Sequence, residues 1–188
     1  MSEDKTRIFG DNKIPNGAII LGTYEIERFL HSGGMAWTYL ANHKELHTRH
    51  VIKVIKPGFE AEGIDVIDLF KREAQALRSI RHDAVVSYDG FHNDETYGFC
   101  LVMEYIEGPS LKQLLSQRPL TENEAWQLRD RIAEGLAAAH AKGIFHRDLA
   151  PDNIIIPNGD VKEAKIIDFG IAKQSDASQG TILGSSYA

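Results

Sequence analysis

The sequence predicts an α+β fold in two lobes, with strands dominating the first half and helices dominating the second. Three observations lead to this prediction. Alternating and β-branched segments fill the first half, where only one helical pattern occurs. A long amphipathic segment with a capping signal opens the second half. A short apolar hairpin pattern follows it.

The strands of the first half begin with a hairpin. Residues 24–30 alternate between apolar and polar side chains, as a half-buried strand does. A Ser-Gly-Gly turn at 32–34 separates them from residues 38–41, where strand character resumes. The other predicted strands lie at 50–55, 84–91 and 97–103, with a polar turn at 92–95 between the last two.

Helical periodicity first occurs at residues 65–81, where one apolar face comprises Ile67, Phe70, Ala74, Leu77 and Ile80. A short helix is predicted at 111–116. Thr121 and Glu124 form a capping-box signal for a long helix that runs to about Lys142, with Gly143 as its stop. Its apolar face carries Leu128, Ile132, Leu136 and Ala139.

A catalytic pattern surrounds the predicted hairpin of residues 154–156 and 164–167. The segment His146-Arg147-Asp148-Leu149-Ala150-Pro151-Asp152-Asn153 precedes it, and Asp168-Phe169-Gly170 follows it. The two aspartates, Asp148 and Asp168, stand twenty positions apart (168 − 148). Phosphoryl transfer needs one carboxylate at the attacking hydroxyl and another that holds magnesium against the phosphates. The two motifs in this order therefore indicate phosphoryl transfer.

Composition excludes several other classes of protein. The chain has 188 residues, 43% of them hydrophobic and 26% charged, as in an ordinary globular protein. Its net charge of −6 argues against a nucleic-acid partner. A single cysteine, Cys100, forbids an internal disulfide and suits a reducing compartment. No membrane segment or signal peptide is recognisable, so a cytoplasmic location is expected.

Lys53 lies in an apolar strand, and Glu73 follows twenty positions later in the predicted helix (73 − 53). Alone, each residue would be interpreted as a solvated side chain. Together with the downstream motifs they indicate an ion pair at a phosphate-binding cleft.

In this order, these features resemble the Ser/Thr protein kinases, most closely their bacterial members. The resemblance covers residues 24 to about 187 and includes the segment Val102–Leu111. It implies a protein kinase-like bilobal fold: an N-lobe with an antiparallel sheet and one helix at 22–103, and a hinge with an incomplete, mostly helical C-lobe at 104–188. Residues 1–21 are expected to form a flexible leader.

The resemblance also implies site residues, with ATP and Mg²⁺ as cofactors and a protein as substrate. Asp148 would be the catalytic base, Asn153 and Asp168 the metal ligands, and Lys53 the phosphate-binding partner of Glu73. Arg147 would read a phosphorylated activation loop. The expected nucleotide-binding residues are Leu30, Gly33, Gly34, Thr38, Val51, Lys53, Met103, Glu104, Ile106 and Ile155.

Three departures weaken this pattern. The Gly-rich loop has His31 and Ala36 where glycines are usual, so weaker ATP binding is expected. Ala150 replaces a lysine that neutralises the γ-phosphate, a loss on the order of 10²–10³ in rate by analogy with oxyanion donors. Lys173 is a candidate to compensate for that loss.

The third departure concerns the end of the chain, where the substrate-binding helices of the family do not follow. A fragment of low activity is therefore expected, with apolar surface exposed along helix 121–142. The Ser and Thr hydroxyls of the segment that follows Asp168-Phe169-Gly170 are candidate autophosphorylation sites, with Thr181 first among them.

Two alternatives stay open at this point. One is a catalytically weak or inactive pseudokinase that only binds nucleotide, for which His31, Ala36 and Ala150 argue. The other is a small-molecule kinase, whose catalytic loop is similar. Arg147 and the Glu104–Gly108 segment favour a protein substrate over a small one.

Overall fold

The computed structural model describes residues 13–34, 36–56, 71, 74, 75 and 77–169. Six antiparallel strands form one sheet in the order β1-β2-β3-β4-β6-β5. They are β1 Ile19–Ile20, β2 Tyr24–Ser32, β3 Ala36–His43, β4 Arg49–Ile55, β5 Tyr88–Asp94 and β6 Gly98–Glu104. The predicted hairpin of β2 and β3 and the strand around Lys53 are confirmed.

The sheet separates two apolar clusters, because successive side chains of a strand point to opposite faces. In β6, Cys100 and Val102 face an outer cluster, whereas Leu101 and Met103 face a central cluster. Burial raises the pKa of the Cys100 thiol to about 12, so this cysteine stays protonated and packs as a small apolar group.

The prediction of a strand at 84–91 was wrong at its start, since β5 begins at Tyr88. Ala84, Val85 and Val86 are buried like strand residues, but Val85 makes only an isolated parallel bridge to Ile166. β5 also continues through Asp94, so the turn lies at 95–97 rather than at 92–95. The apolar run therefore reflects burial against the second half of the chain rather than sheet pairing.

The described part of the predicted leader, residues 13–21, is packed. Ile14 and Ile20 are buried in the outer cluster, and β1 pairs with the start of β2. The backbone N–H of Ile14 donates to the Tyr39 hydroxyl at 3.0 Å. These apolar side chains cover the outer face of the sheet, which explains the difference from the prediction.

Two helices follow the sheet: α1 Leu111–Gln117 and α2 Glu122–His140. The predicted capping box of α2 is present, with Thr121 and Glu124 bonded reciprocally. Gly143 follows its end with φ +72°, a conformation that favours glycine. Of the helix predicted at 65–81, residues 71, 74, 75, 77 and 78 are described and helical. Among the residues that the structure describes, no helix has the length and apolarity that crossing a membrane requires.

The predicted apolar hairpin is confirmed as a pair of two-residue strands, β7 Ile154–Ile155 and β8 Lys165–Ile166. A short 3-10 turn at Pro151–Asn153 precedes it, and two more, Pro157–Gly159 and Val161–Glu163, connect its strands. The central cluster joins the hairpin to the sheet and to α2, because Ile166, Met103 and Ala139 all belong to it. The hairpin is thereby packed against both the sheet and α2.

Large apolar side chains are exposed on the second half, although only one of them lies on the helix for which exposure was expected. Trp126 on α2 is 52% exposed, and Phe145 just beyond α2 is 56% exposed. Leu115 and Leu149 are also exposed. Leu128 and Ala139, by contrast, are buried, as the predicted apolar face requires.

Candidate active site

Four candidate residues share one face of the sheet. The register places Thr38 opposite Lys53 and Val51 opposite Met103. Directly opposite residues of paired strands project to the same side. Met103 and Val51 pack with the central cluster, so this face is the one that looks toward the hairpin.

Lys53 reaches across to the second half of the chain. Its ammonium forms an ion pair and hydrogen bond with the Asp168 carboxylate, 115 residues away in sequence. The two side chains are 20% and 41% exposed, respectively. A partly exposed pair of this kind adds little stability. Its cation and carboxylate are, however, accessible to a ligand.

The backbone around Asp168 is held in an unusual conformation. Asp168 has φ +59°, which is uncommon for a residue other than glycine. The next residue, Phe169, is 2% exposed and its ring lies 4.7 Å from the ring of His146. His146 in turn lies 2.9 Å, through Nε2, from the carbonyl oxygen of Ile167. His146 is therefore a buried, hydrogen-bonded residue that packs against the segment around Asp168.

Hydrogen bonds connect the loop that carries Asp148 to the segment just before Asp168. The Asn153 amide donates to the Asp148 carbonyl at 2.9 Å, and the Ile167 N–H donates to the Asn153 carbonyl at 2.9 Å. Arg147, beside Asp148, has φ +60°. Strained residues of this kind persist where surrounding contacts fix them, and they cluster at functional sites. The two predicted motifs are therefore adjacent in space.

These residues fit a magnesium ion that also binds phosphate. The Asn153 side chain donates through its nitrogen, which leaves its oxygen as an acceptor. Asp168 adds a partly exposed carboxylate. Within the described residues, no cluster of three or more His, Cys, Asp and Glu side chains could enclose a metal by itself. Two oxygen ligands with room for phosphates and water are the arrangement that magnesium prefers.

The segment after β6 is anchored by Glu104. Its backbone N–H donates to the Ser87 carbonyl at 3.0 Å, and its carboxylate accepts from the Ser87 N–H at 2.7 Å. The Lys165 ammonium also donates to this carboxylate, at 2.8 Å. Lys165 was not singled out by the sequence analysis, although a lysine within the apolar run 164–167 was a signal. It ties the hairpin to the end of the sheet.

Two further candidates border this segment. Ile106 packs against the central cluster, and Ile155 forms an isolated bridge with Ser110. The described candidates thus lie along the sheet face, the segment after β6 and the hairpin. Glu73, Gly170, Lys173 and Thr181 lie outside the described residues, as do Ile67 and Phe70 of the predicted helix.

The Gly-rich loop accommodates its two departures. His31 pairs with Thr38, and Ala36 pairs with Ile55, so both residues belong to regular strands. Neither has positive φ. A side chain is therefore tolerated at both positions without backbone strain. The loop closes through the Gly33 N–H, which donates to the Ala36 carbonyl at 2.9 Å.

The structure also defines the surroundings of Leu30 and Trp37. Leu30 lies at a register shift between Phe29 and His31, which interrupts its pairing. Trp37 is 8% exposed and belongs to the outer cluster, on the face opposite Lys53. Packing, rather than shielding of phosphates, is thus the role that the structure gives to Trp37.

Tyr88 is a site neighbour that the sequence analysis missed. It is 6% exposed in the central cluster, beside Phe169. Burial and the nearby Asp168 carboxylate raise the pKa of its hydroxyl, which also accepts a hydrogen bond from the Phe169 backbone. Tyr88 therefore remains protonated and contacts the backbone next to Asp168.

We expect Tyr88→Phe to lower the free energy of unfolding by about 1–3 kcal/mol, since it leaves the buried Phe169 N–H without this acceptor. Urea denaturation measures the change. Tyr105→Phe, which removes a hydroxyl from a half-buried ring, is the control and should lose less stability. Equal stabilities of wild type and Tyr88→Phe would contradict the assignment.

Comparison with known families decides the classification. The protein kinase domain family matches residues 24–187. The chain belongs to the protein kinase family. Two curated relatives illustrate the match. The serine/threonine-protein kinase pkn2 of Myxococcus xanthus is 38% identical over 178 residues, which is 90% of this chain and 21% of the relative. PrkC of Bacillus subtilis (strain 168) is 39% identical over 158 residues, 83% of this chain and 24% of the relative.

Solved structures agree on the kinase fold. The PknI kinase domain of Mycobacterium tuberculosis superimposes with a TM-score of 0.70 at 24% identity, covering 86% of this chain and 63% of that one. Rad53 1-466 in complex with AMP-PNP gives 0.67 at 26% identity, covering 79% of this chain and 38% of that one. The predicted α+β kinase-like fold, with its antiparallel N-lobe sheet, is confirmed. The kinase chain spans about a quarter or less of the length of pkn2 and PrkC.

Proposed function

We propose that this chain carries the ATP-binding and catalytic residues of a Ser/Thr protein kinase, which transfers the γ-phosphoryl group of ATP to a protein hydroxyl. The observation that carries the proposal is the ion pair of Lys53 with Asp168, beside the loop that holds Asp148 and Asn153. It combines a cation, oxygen ligands for a metal and a candidate base. Phosphoryl transfer depends mainly on such positioning and on electrostatic stabilisation.

Asp148 would accept the proton of the attacking hydroxyl. Lys53 would bind the α- and β-phosphates and pair with Glu73. Arg147 would bind a phosphate on the activation segment, since guanidinium groups match phosphate oxygens in a bidentate way. Lys53 would thus place positive charge at the phosphates of the nucleotide, and Arg147 would place it at the phosphate of the activation segment.

The adenine ring would lie between the sheet face and the hairpin. Backbone groups of Glu104 and Ile106 would bond to it, and Met103 would close the pocket behind it. The remaining pocket residues in the proposal are Leu30, Gly33, Gly34, Thr38, Val51 and Ile155. The AMP-PNP complex of Rad53 supports an ATP-like ligand for this family member.

Mg²⁺ would be held by Asn153 and Asp168, whose oxygens fit it. When bound, it would neutralise the charge of the transferring phosphates. Lys53 would then bind phosphate oxygens, and Asp148 would orient and deprotonate the acceptor. The protein residues thereby supply binding, orientation and proton transfer.

The substrate belongs to the proposal as well. The curated relatives are named serine/threonine-protein kinases, which supports a Ser/Thr hydroxyl on a protein as acceptor. Autophosphorylation, with Thr181 as the first candidate, and a cytoplasmic location complete it. The small-molecule alternative is not favoured by these relatives.

The pseudokinase alternative rests on Ala150, since the loop substitutions cause no backbone strain. A radiolabelled-ATP assay with a generic protein acceptor separates the two. We expect Mg²⁺-dependent incorporation into the acceptor or the chain itself. Nucleotide binding without any transfer would favour the pseudokinase. Transfer only to small alcohols or aminoglycosides would favour the small-molecule kinase.

A further inference from the structure

The Gly-rich loop is bound by a second lysine, Lys56, that no motif identifies. Its ammonium donates to the Gly33 carbonyl at 2.5 Å and to the Gly34 carbonyl at 3.2 Å. Charge-assisted hydrogen bonds of this kind are stronger than neutral ones. One cation therefore holds two successive carbonyl groups of the loop that the proposed nucleotide would lie beneath.

Lys56 approaches the loop from the face of the sheet opposite Lys53. Lys56 directly follows the end of β4, and Val54, two positions earlier in the strand, is buried in the outer cluster. The Lys56 ammonium also lies 5.9 Å from the centre of the Trp37 ring, which belongs to the same cluster. This contact keeps the lysine stem on the outer side.

The direction of the carbonyls fixes the direction of the following N–H group. In a trans peptide, the C=O of one residue and the N–H of the next point in opposite directions. No cis peptide bond occurs in the described ranges. With the Gly33 carbonyl turned to Lys56 on the outer side, the Gly34 N–H is turned to the side of Lys53. Successive backbone N–H groups form anion-binding sites.

We propose that Lys56 is a positioning residue that orients the peptide groups of the Gly-rich loop toward the phosphates of a nucleotide. The inference rests on the proposed function, since it requires a nucleotide phosphate at this site. Lys56 acts through the loop backbone and does not itself touch the substrate.

The test compares ligands that differ in their phosphates. Affinities for ATP, ADP and adenosine are measured with Mg²⁺ by calorimetric titration of the full chain. Lys56→Met keeps the aliphatic stem but removes the charge, and should weaken ATP and ADP binding about three- to tenfold, the value of a modest hydrogen bond. Adenosine binding should be unchanged. Lys56→Arg, which can donate to the same carbonyls, should restore most of the affinity for ATP.

Lys44→Met is the matched control, because it removes an exposed lysine from the turn that joins β3 to β4. It should leave all three affinities unchanged. Two results overturn the role of Lys56: unchanged ATP affinity in Lys56→Met, or an equal loss of affinity for adenosine, which would indicate a merely structural effect. A wild type that binds no nucleotide overturns this inference together with the proposed function. A wild type that binds ATP but transfers no phosphate overturns only the catalytic proposal, and the ligand comparison still decides on Lys56.

Discussion

Replacing Asp148 with asparagine should lower the rate of phosphoryl transfer about 10²–10⁴-fold, the contribution usual for a positioned general base. Asparagine has nearly the same shape, but its amide cannot accept the proton of the attacking hydroxyl. Two hydrogen bonds of this loop use backbone atoms of residue 148, which asparagine also has: the Asp148 N–H donates to the His146 carbonyl, and the Asn153 amide donates to the Asp148 carbonyl. The loop should therefore keep its conformation, and the affinity for ATP should be close to that of the wild type.

Asp168→Asn should behave differently, although it also removes one carboxylate. Its loss breaks the ion pair with Lys53 and removes a proposed ligand of Mg²⁺. We expect both weaker binding of ATP with Mg²⁺ and a rate loss at least as large as that of Asp148→Asn. The dependence of the rate on Mg²⁺ concentration separates the two variants, since only Asp168→Asn should shift it to higher concentration.

Asp152→Asn is the control for both changes. Asp152 lies in the same loop, but its carboxylate pairs with Lys112 at 2.8 Å and is 58% exposed. An exposed ion pair of this kind contributes little to the free energy of unfolding. Its variant should transfer phosphate at nearly the wild-type rate. Full activity of Asp148→Asn, or equal losses in all three variants, would refute the assigned roles.

The sequence predicted those features that depend on local pattern. The alternation of residues 24–30 and the capping box of Thr121 with Glu124 each act over a few residues, and both occur as expected. The hairpin of β7 and β8 also follows from a local apolar run with a turn. Motif order then placed Asp148 and Asp168 in one site, because that combination serves one chemistry.

What the sequence did not predict depends on contacts between distant segments. Lys56 meets the carbonyls of Gly33 and Gly34, and Lys165 meets Glu104, 61 residues away. Neither contact follows a local period. The buried run at 84–86 was interpreted as part of a strand. A segment buried against Ile166 and a segment buried within a sheet show the same run of apolar residues, so the sequence does not distinguish them. The role of Tyr88 was missed for a similar reason. Tyrosine is common in strands, and only the structure shows that its hydroxyl contacts the backbone of Phe169.

Gly108→Ala should be the most destabilising single-methyl change in the described part of the site. Gly108 has φ +153°, and a Cβ built there would lie 2.6 Å from the Ile156 carbonyl oxygen and 3.1 Å from the Pro157 Cα. Ile156 is fully buried, and its N–H donates to the Pro109 carbonyl at 2.9 Å. The obstructing atoms are therefore backbone that cannot move aside without disturbing the hairpin.

Two effects add at Gly108. Backbone strain costs about 1–3 kcal/mol, and overpacking against fixed atoms costs about 1–3 kcal/mol more. The free energy of unfolding should thus fall by about 2–6 kcal/mol, measured by urea denaturation. Binding of ATP should weaken too, because relief of the contact moves the segment after Glu104 away from Ile155 and the hairpin.

Gly143→Ala isolates the strain from the overpacking. Gly143 also has positive φ, +72°, but a Cβ there meets nothing within 4 Å. Its variant should lose only the backbone contribution, about 1 kcal/mol, and should bind ATP as the wild type does. If Gly108→Ala and Gly143→Ala lose the same stability, the close approach of Gly108 to Ile156 does not constrain the fold. A larger loss at Gly108, accompanied by weaker ATP binding, would show that this contact sets the distance between the segment after β6 and the catalytic hairpin.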